Sequence, residues 1–209
     1  MRNSRGFVLI ELVTVLAIAA ILITLCTLAL QGISKAGRLT SAGEMVDGVL
    51  NIARQNAITK NSYTALVVLS DTTQGSMAYR TFTTLELDLP SDGTSATTAN
   101  WRQFSPWSTL PGGTMVDNRG STFLTSPSTF SPSLPSLQYA GRTFAPQTGY
   151  AYQIFLPSGR LSSPPSPCNL EVIEGVYIST TPTYTGGGSA NYFNLTVSDA
   201  TGQAKISRP

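Results

Sequence analysis

The chain has 209 residues, 41% hydrophobic and 11% charged, with 13 lysines and arginines against 11 aspartates and glutamates. That length suits one membrane helix plus one globular domain, and the near balance of charge argues against an extended nucleic-acid surface or a polyanionic substrate. There is no histidine, which removes the commonest general base and metal ligand.

A short basic leader, Met1 to Arg5, precedes Gly6-Phe7-Val8-Leu9-Ile10-Glu11-Leu12 and an apolar run to about Leu30. After Glu11 no charged residue occurs until Lys35. As a helix, Leu12 to Leu30 would rise roughly 28 Å, close to the hydrocarbon thickness of a bilayer, so the run reads as a membrane segment. A carboxylate at a helix centre in lipid costs about 2.5–3.5 kcal/mol on insertion scales and less near an end, so Glu11 requires a partner. A secretory signal peptide fits poorly, because its nearest small-x-small site, Thr27-Leu28-Ala29, lies deep in a run that is too long. A lipoprotein signal wants a small residue before Cys26, where Leu25 stands. A plain signal anchor explains the length and leaves Glu11 without a reason.

The leader ending in Gly6, followed by Phe7-Val8-Leu9-Ile10-Glu11-Leu12-Val13, resembles the class III signal of type IV pilins and type II secretion pseudopilins. The resemblance implies that a prepilin peptidase cuts between Gly6 and Phe7 and methylates the new amino terminus, so that residues 1–6 are a cleaved leader and Glu11 becomes the fifth mature residue. It also implies a single pass through a bacterial inner membrane, amino terminus in the cytoplasm and remaining domain outside. The implied partners are the peptidase, other pilin or pseudopilin subunits, an inner-membrane assembly platform and membrane lipid. No cofactor, metal or enzymatic activity is expected. Cleavage removes Arg2 and Arg5, leaving eleven basic and eleven acidic side chains. The ammonium of Phe7 then lies one turn from Glu11, and in a staggered filament that carboxylate faces the ammonium of the next subunit. Leaving either charge unpaired in a low-dielectric setting costs several kcal/mol, so filament assembly becomes conditional on processing.

The helical pattern continues beyond the membrane segment. Leu39, Ala42, Val46, Val49, Leu50, Ala53 and Ala57 recur at three- and four-residue steps, and no proline occurs before Pro90. Residues 7–30 are thus a transmembrane and filament-core helix and 31–60 its amphipathic extension, about 80 Å in all if unbroken. Gly32, Gly37, Gly43 and Gly48 each cost about 1 kcal/mol against alanine in a helix interior. They mark either a bendable segment or close packing of helix on sheet. The stretch Ala53-Arg54-Gln55-Asn56-Ala57-Ile58 resembles the end of the long helix in the GspH/FimT-like branch of minor pilins and pseudopilins.

Residues 61–209 read as a β-rich domain. Tyr63 to Leu69 and Met77 to Leu87 form a hairpin around Asp71 to Gly75, and the Ser-, Thr- and Pro-rich stretch at about 90–136 reads as an insertion. Within it Trp101, Phe104 and Trp107 either form a contact surface or cover the local core. Strands follow at Leu137 to Phe144, Tyr150 to Leu156, Val172 to Ser179, Asn191 to Ser198 and Gln203 to Ser207, with Ser163 to Pro167 as a rigid linker. Leu156-Pro157-Ser158-Gly159-Arg160-Leu161 looks like the turn before the final strands of GspH/FimT-like proteins. The expected class is α+β, a long amino-terminal helix packed on antiparallel sheet, the type IV pilin-like fold.

Catalytic patterns are missing. Glu171 and Glu174 mimic an acid/base pair but read as solvated carboxylates beside Gly175. Asp71, Asp92 and Asp199 lie in turns where calcium is conceivable and ordinary turn chemistry suffices. Cys26 lies within the apolar run, and Cys168 is a lone thiol or an intermolecular candidate. Two functional classes remain: a structural filament subunit, or a binding module on that platform for secreted substrate, a surface or DNA. Lys205 and Arg208 are the only local basic pair near the carboxyl terminus, which ranks DNA capture low.

Overall fold

The computed structural model describes residues 9–88, 100–124, 130–162, 168–178, 181–184 and 191–208; the side chains of Leu9 and of residues 25–36 fall outside that description. The chain forms two compact units, residues 1–37 and 38–209, and a single helix, α1 (Leu9–Thr59, 51 residues), contributes to both.

In the second unit α1 buries one stripe: Leu39, Ala42, Val46, Leu50, Ala53 and Ala57, at steps of three and four residues. Three of these are fully buried alanines, so the backbone can lie close to the sheet. The helix ends at a left-handed residue, Asn61 (φ 48°). Asn61 N–H donates to the Ile58 carbonyl at 3.2 Å and Ser62 N–H to that of Ala57 at 3.1 Å, a Schellman closure satisfying two orphan carbonyls. Asparagine tolerates this conformation better than most non-glycine residues, which is why the chain turns there.

Among the described residues twelve strands follow: β1 (Thr64–Leu69), β2 (Thr81–Asp88), β3 (Asn100–Gln103), β4 (Ser108–Thr109), β5 (Thr114–Val116), β6 (Leu137–Tyr139), β7 (Arg142–Phe144), β8 (Tyr150–Phe155), β9 (Cys168–Ile178), β10 (Thr181–Tyr184), β11 (Tyr192–Val197) and β12 (Ala204–Ser207). All strand pairs are antiparallel. One sheet runs β3-β2-β1-β8, with β4 also on β2, and sets Leu66 opposite Thr84 and Gln153. In the other, β9 pairs β5 on one side and β10 then β11 on the other, with β12 beyond β11.

Strand β1 is buried along its whole length. Leu66 and Val68 join the core under α1, with Phe82, Leu170, Phe193 and Leu195. Ala65, Val67 and Leu69 face a second core with Leu85, Tyr150, Tyr152 and Ile154, and Trp101, Trp107 and Phe130 pack against it. A strand covered on both faces reads as a continuous apolar run, which accounts for Ala65 to Leu69. A smaller third cluster joins Ala78, Met115, Ile173 and Tyr177.

Several sequence expectations require correction. Met77 is not in a strand: residues Thr72–Met77 form a 3-10 segment capped by Asp71, which accepts from Thr73 N–H at 2.9 Å, and β2 starts at Thr81. Leu137 to Phe144 is a hairpin rather than one strand, turning at Ala140 and Gly141 with φ of 49° and 76°. The 90–136 stretch, expected as an insertion, contributes β3, β4 and β5 to the sheets, and its Trp101, Trp107 and Phe130 pack against the second core. Strand β9 begins at Cys168, four residues before the expected Val172, and β10 had no counterpart in the sequence reading. The linker at 163–167 lies outside the described residues, as does Asp92.

Among the described residues no helix is long and apolar enough to cross a membrane. Part of the expected span, residues 7–30, lies outside the description, since the described side chains of the first unit stop at Thr24.

Candidate assembly site and the helix-sheet junction

Glu11 lies in the first turn of α1 and is exposed. Around it every large apolar side chain described from Ile10 to Ile23 is 50–64% exposed. At 100° per residue, Ile10, Leu12, Val13, Val15, Leu16 and Ile18 point to every side of the helix. The hydroxyls within the stretch turn inward: Thr14 donates to the Glu11 carbonyl at 2.9 Å and Thr24 to that of Ile21 at 2.7 Å. A helix apolar on all faces is stable only inside apolar surroundings, unlike the one-sided stripe from Leu39 to Ala57. Gly6 and Phe7, the expected processing residues, lie outside the described residues.

At the other end of α1 three distant stretches converge. Arg54 Nε donates to the Thr201 carbonyl at 2.7 Å, and Ile58 and Arg54 both lie against Gly159. Gly159 (φ 80°) and Gly202 (φ 66°) touch across their turns, where a Cβ on Gly202 would lie 1.9 Å from the Gly159 carbonyl oxygen. The helix-end stretch 53–58 and the turn 156–161, both singled out in the sequence, therefore meet in space.

Next to this junction Glu86 of β2 is 4% exposed and takes three donors: Asn56 at 3.1 Å, Lys60 at 2.6 Å and Arg102 of β3. Burial alone pushes the Glu86 carboxyl upward, but hydrogen bonds from Lys60, Asn56 and Arg102, with the charge of Lys60, outweigh it and hold the group below its ordinary value. A cavity of about 230 Å³ lined by Lys60, Ser62, Glu86, Leu87, Asp88 and Arg102 opens beside it. Sequence reasoning missed this hub, because its donors lie 16 to 30 residues from Glu86 and carry no shared motif.

The other candidates resolve individually. Glu171 and Glu174 are on opposite faces of β9 by the two-residue period, so they form no pair. Glu171 is instead near Asp117, whose N–H donates to the Glu171 carbonyl at 2.8 Å. Burial, and then the charge of Asp117, push the Glu171 carboxyl above its ordinary value. Among the described residues no group of three or more acidic or cysteine side chains is placed to hold a metal ion. Cys168 is 2% exposed, and burial followed by the charge of Asp199 pushes its thiol up to about 12. Cys168 is therefore a buried lone thiol of the folded domain. Trp101 and Trp107 are half-buried and donate to the carbonyls of Pro132 at 3.0 Å and Gln138 at 2.9 Å, while Phe104 is 41% exposed under Lys60 Nζ.

The architecture is α+β, with a long amino-terminal helix whose second half packs on antiparallel sheets. Among solved structures the chain is similar to the minor pseudopilin EpsH from the type II secretion system of Vibrio cholerae, at 16% identity and a TM-score of 0.44 over 83% of this chain and 95% of that one. It is also similar to the type IV minor pilin FimU of Pseudomonas aeruginosa, at 12% identity and a TM-score of 0.43 over 85% of this chain and 96% of that one. No family model and no curated protein matches the chain.

Proposed function

We propose that the protein is a structural subunit, a minor pilin or pseudopilin, of a type IV pilus or type II secretion pseudopilus. It is made as a precursor, cut after Gly6 by prepilin peptidase, methylated on Phe7, and held in the bacterial inner membrane by residues 7–30 with its β-rich domain outside. It then passes, by way of an inner-membrane assembly platform, into a filament among other pilin or pseudopilin subunits. No catalytic step is assigned to it.

The observation that carries this reading is Glu11, the one charged residue between Arg5 and Lys35, set among apolar side chains exposed on all sides of α1. The buried side chains of the second unit pack into their own three clusters. Lipid and then neighbouring helices provide it, and the carboxylate finds its counter-charge on the ammonium of an adjacent subunit's Phe7. Of the aromatics that could serve the binding-module alternative, Trp101 and Trp107 pack against the second core and Phe104 is exposed, which leaves that reading with the smaller support.

Mass spectrometry of the amino terminus from cells carrying the peptidase tests the first step, with a methylated Phe7 expected; a chain retaining Met1 overturns it. Glu11→Val should be cut and membrane-inserted yet fail to co-purify with filaments. Normal incorporation of that variant would remove the charge pairing from the account.

A further inference from the structure

We infer that the face of the second sheet turned away from α1 holds a divalent-cation site, calcium by preference, built from the carboxylates of Asp117 and Glu171 and the side-chain oxygens of Asn169 and Asn194. All four residues belong to the second unit, so the site does not depend on filament assembly. Leu170, Val172 and Leu195 point into the core under α1, and the two-residue period therefore turns Asn169, Glu171 and Asn194 to the other side. Register brings them together. Asn194 of β11 is directly opposite Glu171, and Asn169 is two residues along β9 on the same face. Asp117 extends β5 by one step on the other flank, where its N–H donates to the Glu171 carbonyl at 2.8 Å. Glu171 thus stands between a carboxylate and an amide, in a row where opposing Cβ atoms are about 4.5–5.5 Å apart. Gly120 lets the 117–121 loop close over it, since a Cβ there would lie 1.6 Å from Glu171 Oε2. Ser121 fixes that loop by accepting from Glu171 N–H at 2.8 Å.

The cluster is rich in acceptors and short of donors. Asn169 Oδ1 and Asn194 Oδ1 are closed off from solvent and accept no hydrogen bond among the described residues. Tyr177, further along the same face of β9 and 2% exposed, has a hydroxyl that likewise lacks a partner among them. After burial and the neighbouring Tyr79 and Tyr184, the charge of Asp117 acts on that hydroxyl, which puts it beside the acidic pair. Asp117 Oδ1 accepts from the Tyr184 hydroxyl at 3.3 Å and from Arg119 N–H at 3.1 Å, which leaves Oδ2 for a ligand. The nearest cations are placed elsewhere: the Arg119 guanidinium lies 5.0 Å from the centre of the Tyr184 ring, and Lys205 is a strand beyond, opposite Thr196. Two like charges beside buried oxygens without donors are costly, and a cation relieves both. An all-oxygen set selects a hard ion. Calcium takes six to eight oxygens at about 2.3–2.6 Å in variable geometry, which suits ligands drawn from a loop and two strands better than the near-ideal octahedron that magnesium demands. Water completes the shell, and a charge count of two carboxylates sets the affinity at the weak end, about 10⁻⁴–10⁻³ M.

The test is thermal unfolding of the full chain in detergent, in chelator, in about 5 mM calcium chloride, or in chelator with sodium chloride of equal ionic strength. Calcium should raise the midpoint by roughly 3–6 °C and the sodium control should not. Terbium, a luminescent substitute for calcium that nearby tyrosines sensitise, should emit when bound beside Tyr177 and Tyr184, and calcium should displace it. Glu171→Gln should lose the calcium shift while unfolding no earlier than wild type in chelator. Asp117→Asn, which retains an acceptor for Tyr184 and Arg119, should lose it as well, and Glu174→Gln, on the opposite face of β9, should keep it. No calcium shift in the wild type, an equal shift from sodium chloride, or an undiminished shift in Glu171→Gln and Asp117→Asn overturns the site.

Discussion

The ring of Phe193 fills the space beside Gly43 of α1, where an added Cβ would lie 2.3 Å from Cδ1 and 2.5 Å from Cε1. Gly43 is therefore a packing residue, and the helix accepts its intrinsic cost because β11 needs the room. Gly37 and Gly48 have nothing within 4 Å of a built Cβ. Of the two readings open from the sequence, close packing holds for Gly43 alone among these three.

This contrast predicts opposite signs for the same substitution. Gly48→Ala should stabilise the domain by up to about 1 kcal/mol through helix propensity. Gly43→Ala gains the same propensity but overpacks, at about 1–3 kcal/mol, for a net loss of up to about 2 kcal/mol. Urea unfolding of the full chain in detergent measures both. Equal stabilisation by the two variants would refute the packing role of Gly43.

Glu86 ties the end of α1 to two strands, and its replacement should show in both stability and pH response. Glu86→Gln removes two ion pairs, but Lys60 and Arg102 are 45% and 64% exposed, so solvent replaces much of what is lost. The expected cost at pH 7 is about 1–3 kcal/mol, within the range of hydrogen bonds to charged groups. The folded carboxyl titrates below its ordinary value, so its contribution is complete above the unfolded pKa near 4.5 and is lost as pH falls through the lower folded value. The gap between wild type and variant should narrow on acidification; a gap constant from pH 7 to pH 3 would show that the ionised state carries no stability.

Glu171 should behave in the opposite sense. Its folded pKa is raised by burial and then by Asp117, so the folded state is disfavoured as pH rises from the unfolded value near 4.5 through the raised one, and the full penalty remains at neutral pH. Glu171→Gln should raise the thermal midpoint at pH 7 and leave it nearly unchanged at pH 4, a gain of order 1 kcal/mol or less. Gly120 is close enough that a Cβ there would lie 1.6 Å from Glu171 Oε2, so the isosteric amide is the informative change. Destabilisation at pH 7 would mean that the carboxylate is favourably paired.

The sequence displayed what is periodic or local. The stripe Leu39, Ala42, Val46, Leu50, Ala53 and Ala57 is buried as its spacing indicates, and β8, β11 and β12 lie within a residue of their expected bounds. Short strands with weak alternation were invisible, because Asn100–Gln103 and Thr114–Val116 are strands only by virtue of β2 and β9 beside them. Tertiary context overrides local propensity most readily in such pieces. The hairpin at Ala140-Gly141 lacks the Asn-Gly signature that usually announces a two-residue turn. For the assembly site, a lone glutamate in an uncharged run was plain from composition; Glu86 with Arg102, and Glu171 with Asp117, were not, since charge partners brought together by the fold leave no pattern in the chain.

Cys168 shows how far burial decides chemistry. The sequence left it open to pairing with another molecule, but it is enclosed with Leu170, Val172 and Val197, and its thiol is pushed up to about 12. Only the thiolate is an effective nucleophile, so at pH 8 the folded protein should alkylate at Cys168 about a thousandfold more slowly than the unfolded chain from ionisation alone, and more slowly still for lack of access. Peptide mapping after iodoacetamide treatment with and without urea reads this site separately from Cys26. Native labelling at a rate near that of the unfolded chain would show that the strand pairing Cys168 with Val197 opens readily, and would return the thiol to the role of an intermolecular partner.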